Sequence, residues 1–564
     1  MSRKNNKAIL LVLAGMAVVS AVVFGAFILA RNVVVPKDVR TVEDATTSLA
    51  RMVDKIGPET ATPVKSSVEY TETEDTTAAE LPELDTNAVT AEATTDLYAE
   101  IWCSPEKAGS GTDGWMRELA EQFNAAGYEV DGQRVSVRIR NVSSGLGNDY
   151  IVTGKATPDG YSPSNRLWID MLSAKGIDCT YVRERTVGNV AGFLLDKEHY
   201  DQLVDAYGQA DLKAVTEAVG AGELTMGYTN PFTSSTGLNF LVSTLMRYDR
   251  KDPLSDTAVE GFRQFQANVP FVAMTTVQMR DAAQRGSLDG FVLEYQLYAN
   301  DSTLSSQYKF VPFGYRHDNP LVALPRISSQ KAQILELFAT YCDENGQELA
   351  KRYGFGGMDS YKSENPEVDG KTLLAAQRLY KDNKDTGKPV VAVFVADISG
   401  SMDGEPLNAL QESLVNSMRY INDSNYVGLV SYSDYVTIEV PVAQFDLNQQ
   451  SYFKGAVENL RAGGGTATFD GICVAASMVQ DALAEHPDAK PLIFVLSDGE
   501  TNSGYDLPDV EGILKALRIP VYTIGYNANI DALKQISSIN GAASIDASTD
   551  DVVYQLKNLF NANM

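Results

Sequence analysis

Val390-Val391-Ala392-Val393-Phe394-Val395-Ala396-Asp397-Ile398-Ser399-Gly400-Ser401-Met402 decides the fold of this chain. An unbroken apolar run, mostly β-branched or aromatic, leads straight into Asp, Ser and Gly. Such a run reads as a strand buried on both faces. Strands of that kind belong to parallel sheets, whose ligands bind where the strands end. This strand ends in the Asp397 carboxylate and, at alternate positions, the hydroxyls of Ser399 and Ser401, with Gly400 free to turn the backbone tightly. All three side chains offer hard oxygen, and none offers nitrogen or sulfur. That donor set suits Mg²⁺, Mn²⁺ or Ca²⁺ rather than zinc or copper.

Asp397-x-Ser399-x-Ser401 after a buried strand resembles the metal-ion-dependent adhesion site of a von Willebrand factor A (VWA) domain. That family completes its site with a Thr and a second Asp from later loops. Gly463-Gly464-Gly465-Thr466 and Ile493-Phe494-Val495-Leu496-Ser497-Asp498-Gly499 stand in that order here. Asp and Ser also cap strand–helix turns in any α/β protein, but capping does not call for all five elements in sequence. By the resemblance, Ser399, Ser401 and Thr466 would give hydroxyl oxygens to a divalent cation, Mg²⁺ foremost, with Mn²⁺ or Ca²⁺ as alternatives. Asp397 and Asp498 would give carboxylates, often through water. One coordination position would stay open for an Asp or Glu of a partner protein. Few direct carboxylates leave an ion electrophilic, so an incoming anionic oxygen binds well.

The surrounding sequence, 389–564, alternates regularly. Strand signals lie at Val390–Ala396, Tyr426–Ser431, Tyr435–Val440, Leu492–Leu496 and Pro520–Ile524, with a weaker one at Ala543–Ile545. Helical spacing falls between them, as at Pro406–Tyr420 and Phe469–Leu483. The pattern predicts a doubly wound, Rossmann-like α/β domain. Right-handed crossovers would bring the ends of the first and fourth strands, and so Asp397 and Asp498, to one edge.

Residues 97–356 form a second region of alternating signals, from the strand Leu97–Cys103 through the helix Trp115–Phe123 and the strand Val135–Ile139. The region is large for one core, which predicts two lobes. Tyr161-Ser162-Pro163-Ser164-Asn165-Arg166-Leu167-Trp168 and Gly227-Tyr228-Thr229-Asn230-Pro231-Phe232-Thr233-Ser234-Ser235-Thr236-Gly237 are similar to stretches of the type 2 periplasmic solute-binding fold. The resemblance implies a small anion or other solute, with Ser104, Ser164, Ser234, Ser235 and Thr236 as the candidates for holding it. A hydroxyl cluster at a helix start can present free N–H groups to an anion, or simply cap the helix. Polar 357–388, with one helical stretch at Leu373–Tyr380, reads as a linker between the two folded regions.

The N-terminal part is of another kind. Ala8 to Ala30 is apolar or small throughout apart from Ser20. At 1.5 Å per residue it spans about 34 Å, enough for a hydrocarbon core of about 30 Å. Arg3, Lys4 and Lys7 precede it, which predicts a cytoplasmic N-terminus, a transmembrane anchor over 1–31 and an extracellular remainder. The run is longer than the core of a cleaved signal peptide, and no A-x-A-like site closes it. Residues 32–96 are rich in Thr, Glu, Ala and Asp and predict a flexible stalk, with a short helix around Val42 to Ile56.

Over its 564 residues the chain carries 47 basic and 74 acidic residues, a formal charge of -27. That excludes a nucleic-acid partner, since phosphate binding needs a basic surface. The four cysteines, Cys103, Cys179, Cys342 and Cys473, form neither a disulfide framework nor a C-x-x-C site. The three histidines, His199, His317 and His486, stand far apart, and there is no G-x-S-x-G elbow or Walker loop. No catalytic residue is assigned. The sequence therefore predicts a membrane-anchored binding or adhesion protein rather than an enzyme, or alternatively a solute-sensing or transport-associated component.

Overall fold

The computed structural model describes residues 41–564 except for 69–77, 79–80, 270, 274–275, 277–278, 280–288, 364, 385–387, 500, 527–529, 541, 543 and 547–551. The expected anchor over 8–30 lies outside the described residues. Among those described, no helix is long and apolar enough to cross a membrane.

The strand Val390–Asp397 is buried along its whole length and sits near the middle of a seven-stranded sheet. The order is 59–60, 436–444, 426–432, 390–397, 490–497, 521–525, 544–546. It pairs in parallel with Tyr426–Tyr432 on one side and Lys490–Ser497 on the other, while Val436–Gln444 runs antiparallel. The first and fourth strands of the region are therefore neighbours. Alternate side chains of the central strand serve two cores. Val391, Val393 and Val395 face the helices Thr468–Glu485 and Leu507–Leu517. Val390, Ala392, Phe394 and Ala396 face Glu405–Ser417, Leu447–Asn459 and Val552–Asn563. Each large apolar side chain fully buried this way contributes roughly 1.5–3 kcal/mol.

The flexible stalk expected over 32–96 is not what 41–68 and 81–96 form. Val42–Ile56 is a helix, capped by the Thr41 side chain at its start and closed by left-handed Gly57. Its stripe of Ala45, Leu49 and Met52 is buried in the C-terminal core, where the helix packs on Thr468–Glu485 and Leu507–Leu517. Glu59–Thr60 then adds a parallel edge strand beside Thr437 and Ile438. Farther on, Leu81 is buried in the middle region, and Val89–Ala91 pairs with Gln133–Asn141. The helix is the short one expected from the sequence; its docking is not, and three apolar residues at helical spacing suffice to seat it on a ready-made core.

The middle region has two sheets. One lobe carries the strand order 89–91, 133–141, 97–103, 160–162, 321–323, 180–183, and the other carries 271–273, 226–229, 290–294, 189–196, 308–317. The helical stretch expected within 357–388 is the helix Gly370–Asn383, but rather than lying in a free linker it packs on both lobes. Gly370 abuts the Asp170 carbonyl, so closely that a Cβ there would lie 1.9 Å from it. Gln377 donates to the Pro231 carbonyl at 2.8 Å, and Tyr380 is buried beside Tyr228 and Phe262. The second lobe continues into the C-terminal domain without a gap. Leu194, Ala273, Phe291 and Leu293 share one buried cluster with Phe394, Leu556 and Phe560.

Candidate functional site

The site grows from the end of the central strand. Asp397 is fully buried. Its Oδ1 accepts the Ser399 N–H at 2.8 Å, and its Oδ2 accepts the Tyr432 hydroxyl at 3.1 Å and the Ser497 hydroxyl at 2.6 Å. Tyr432 lies directly across the parallel ladder from Asp397. Ser497 ends the neighbouring strand. Burial, and then the charge of Asp397, push the Tyr432 hydroxyl well above its ordinary value.

From there a chain of oxygens leads outward. Ser399 Oγ and Ser401 Oγ lie 3.1 Å apart, and Ser401 donates to Asp498 Oδ1 at 2.9 Å. Asp397 and Ser399 are buried, Asp498 is half-buried and Ser401 is exposed. Burial raises the Asp498 carboxyl; the bond from Ser401 opposes that shift and the charge of Asp397 adds to it.

The glycine loop arrives through its backbone. Gly463 N–H donates to the Ile398 carbonyl at 2.8 Å, and Gly400 N–H to the Gly464 carbonyl at 3.0 Å. Gly464 has φ +89°, and a Cβ on Gly465 would lie 2.5 Å from an Asp434 oxygen. Gly464 therefore needs glycine, whereas a side chain at Gly465 would displace the exposed Asp434 side chain. The loop sets Thr466 at the same rim, where its N–H donates to Asn502 Oδ1 at 2.9 Å and its hydroxyl accepts from Asn502 Nδ2 at 3.4 Å. The structure thus links Ser399, Ser401 and Asp498 by their side-chain oxygens, holds Asp397 behind them, and ties Thr466 in through its loop. Sequence reasoning did not single out Ser497 or Asn502. Ser497 had a visible signal, since it stands between the buried strand and Asp498. Asn502 had none.

The five solute candidates also meet, along the seam between the lobes, and all are buried. Ser164 donates to Ser104 at 2.9 Å and Ser235 to Ser144 at 3.0 Å. Ser234 caps the helix Ser235–Tyr248 by accepting from Gly237 N–H at 3.3 Å. Thr236 donates to Glu294 at 3.2 Å. At this helix start the structure shows a side-chain cap and a bond to a carboxylate of the chain itself, the capping alternative that the sequence left open.

The fold and rim define the class, and comparison with known proteins agrees: residues 392–562 match the family model of the von Willebrand factor type A domain. The chain has a VWA domain at its C-terminus, within a mixed α/β architecture. An uncharacterized protein of Synechocystis sp. is 26% identical over 197 residues, 33% of this chain and 45% of that one. Inter-alpha-trypsin inhibitor heavy chain H3 of Mus musculus is 28% identical over 156 residues, 26% of this chain and 18% of its own length. The chain thus spans less than half the length of these relatives. Among solved structures, a periplasmic thiamin binding protein aligns over 53% of this chain and 98% of its own, with 10% identity and a TM-score of 0.40.

Proposed function

We propose that the VWA domain is a cation-dependent adhesion module that engages an acidic residue of a partner protein. The observation that carries this reading is the oxygen chain from buried Ser399 through Ser401 to Asp498, which joins two strand ends at an accessible rim. Its donors are hydroxyls and carboxylates only, which fits Mg²⁺ and also admits Mn²⁺ or Ca²⁺. Ser399, Ser401, Thr466, Asp397 and Asp498 would hold the ion, and once bound it would supply an electrophilic position for an incoming carboxylate. The chain's own work is to hold that geometry ready. Asp397 is oriented by three donors, and the glycine loop is fixed by two backbone bonds. Catalysis has no part in this reading. The apolar run 8–30 is proposed to anchor the protein in the cell membrane, with the folded regions outside; protease treatment of intact cells should remove those regions if so.

The test is calorimetric titration of Mg²⁺ into the chain from residue 41, beside Asp498→Ala. Binding in the parent and none in the variant supports the reading, and equal heats in both would refute it. A second reading, that the middle region binds a small solute and reports it to the VWA domain, is favoured by one observation. The seam between the lobes is buried and polar, and the cluster Leu194–Phe291–Phe560 connects one lobe directly to the VWA core.

A further inference from the structure

The seam lies where four strands end. Leu97–Cys103 and Gly160–Ser162 are parallel in one lobe, and Met226–Thr229 and Gly290–Glu294 are parallel in the other. Their carboxyl ends meet through lobe-to-lobe bonds such as Asn165 Nδ2 to the Ser235 carbonyl at 3.0 Å. This is the ligand-binding edge of an open α/β sheet, presented from two sides.

Two side-chain acceptors there are buried without a donor. Glu106 is 7% exposed. Its Oε1 accepts from Thr276, while its Oε2 is buried with no hydrogen-bond partner. Gln296, from the other lobe, is fully buried. Its Nε2 donates across the seam to the Thr112 carbonyl at 3.0 Å and Asp113 Oδ1 at 3.3 Å. Two acceptors on that atom fix the amide's orientation, so the other atom is the oxygen, and it too is buried without a partner. A buried acceptor left unpaired costs about 1–3 kcal/mol.

The charge of Lys107 acts on Glu106 and Glu294, but the neighbouring bases do not fill the unpaired acceptors. Lys107 is buried and directs its ammonium to the Ser162 carbonyl at 2.8 Å, Ser162 Oγ at 3.1 Å and the Pro163 carbonyl at 3.2 Å. Those three acceptors use all its hydrogens. His317 donates from Nδ1 to Glu294 Oε1 at 2.8 Å. Its Nε2 faces the amides of Asn165 at 3.3 Å and Asn239 at 3.1 Å. Each amide's oxygen is already claimed by a backbone N–H, of Leu167 and Tyr315 respectively. Both amides therefore turn N–H groups to Nε2, and the ring is the neutral Nδ1–H form. Glu294, also bonded by Asn189 at 2.6 Å, is thus a buried carboxylate met by neutral donors. Burial, and then the charge of Glu294, raise the Glu106 carboxyl.

We propose that this seam binds an organic cation, an ammonium group seated between Glu106 of one lobe and Gln296 and Glu294 of the other. The inference rests on the second reading above and specifies its solute class. An ammonium offers several N–H donors at once, which matches two unpaired acceptors and an excess of negative charge. A bare divalent ion fits less well. Among the described residues, the one group of three or more His, Cys, Asp or Glu side chains converging within 4.8 Å is Asp196, His199 and Asp289, elsewhere in the second lobe.

The experiment is calorimetric titration of the Asp498→Ala chain, so that the VWA rim does not contribute, with 1,4-diaminobutane, choline, sulfate, glucose and Ca²⁺ in turn. At least one of the two amines should bind, and Glu106→Gln should weaken that binding tenfold or more while its melting midpoint stays at or above that of the Glu106 form. Four outcomes overturn the proposal: neither amine binds at millimolar concentration; an amine binds equally to Glu106→Gln; Glu106→Gln melts lower and its loss of binding is shared by Thr216→Ala, a buried change away from the seam; or only Ca²⁺ binds. Binding of sulfate or glucose alone would leave a solute-binding domain standing with the wrong class assigned. Silence toward every probe would remove the second reading as well.

Discussion

The VWA rim and the seam between the lobes are built from the same material and left in different states. Each places hydroxyls and carboxylates where parallel strands end. At the rim the outermost groups, Ser401 and Asp498, stay open to water, and only Asp397 and Ser399 are buried. At the seam a second lobe closes over the strand ends, and Ser104, Ser164, Ser235 and Thr236 are all buried. The difference teaches what each can meet. A rim backed by a rigid sheet can receive a side chain from a separate protein. A covered seam admits only what is small enough to enter when the lobes part.

The comparison breaks most sharply at Asp397. Three donors converge on its buried carboxylate, and replacing it with Ala takes that acceptor away, leaving the Ser497 hydroxyl only the Gly499 carbonyl at 3.4 Å. Asp397→Ala is expected to cost about 4 kcal/mol in urea unfolding with chelator present, at 1–3 kcal/mol for each buried group left unpaired. Loss of metal binding in that variant would then be mixed with loss of fold. If Asp397→Ala unfolds like the parent, the inner part of the rim is not the rigid backing described.

The next largest effect concerns what the rim is built on. Leu49 is 2% exposed in the VWA core, so Leu49→Ala should cost about 3 kcal/mol. A free stalk would make the change silent. For the same reason a fragment starting near residue 389 should melt well below the chain that starts at 41, because removing the helix uncovers the apolar faces of Thr468–Glu485 and Leu507–Leu517 on which it packs.

Asp498 separates chemistry from fold. Half-buried and bonded to Ser401, it can be removed with little change to the chelator-state midpoint. Mg²⁺ at 100 times its dissociation constant should stabilise the parent by about 2.7 kcal/mol, several degrees of melting temperature. Asp498→Ala should lose that shift. A retained shift would place the ion elsewhere.

How much of this the sequence shows depends on how local the cause is. The central strand, its neighbours and the meeting of Asp397 with Asp498 follow from apolar runs and crossover handedness, both written in contiguous residues. The docking of Val42–Ile56 does not, because its partner surface lies more than 300 positions away and the surrounding composition suggests disorder. Gly370–Asn383 shows a helical stretch, yet nothing local says that Gly370 must lie against Asp170. At the rim, Ser399 and Thr466 are marked by spacing, whereas Asn502 is drawn in only by the path of a loop. At the seam, hydroxyls at a helix start suggest an anion. Glu294, which Thr236 meets instead, comes from a strand 58 residues later, and only the folded chain brings the two together.

The seam makes one further prediction, smaller than the others and specific in sign. Burial lowers the Lys107 ammonium from 10.5 to about 8, against the opposing charges of Glu106 and Glu294. A base whose folded value lies below its unfolded value holds fewer protons folded than unfolded between the two. Stability should therefore rise with pH from about 8 toward 10.5, and the cost of burying the charge should be fully present below 8. Between pH 8 and 9.5 the gain is about 1.6 kcal/mol, below the full 1.36 kcal/mol per unit because the folded group is at its midpoint at 8. Urea midpoints of the parent and Lys107→Met at those two pH values measure it. The variant should lack the parent's rise, and because it no longer buries a charge, the two should differ most at the lower pH. Parallel pH profiles would mean that water reaches Lys107, and the seam would then be as open as the rim.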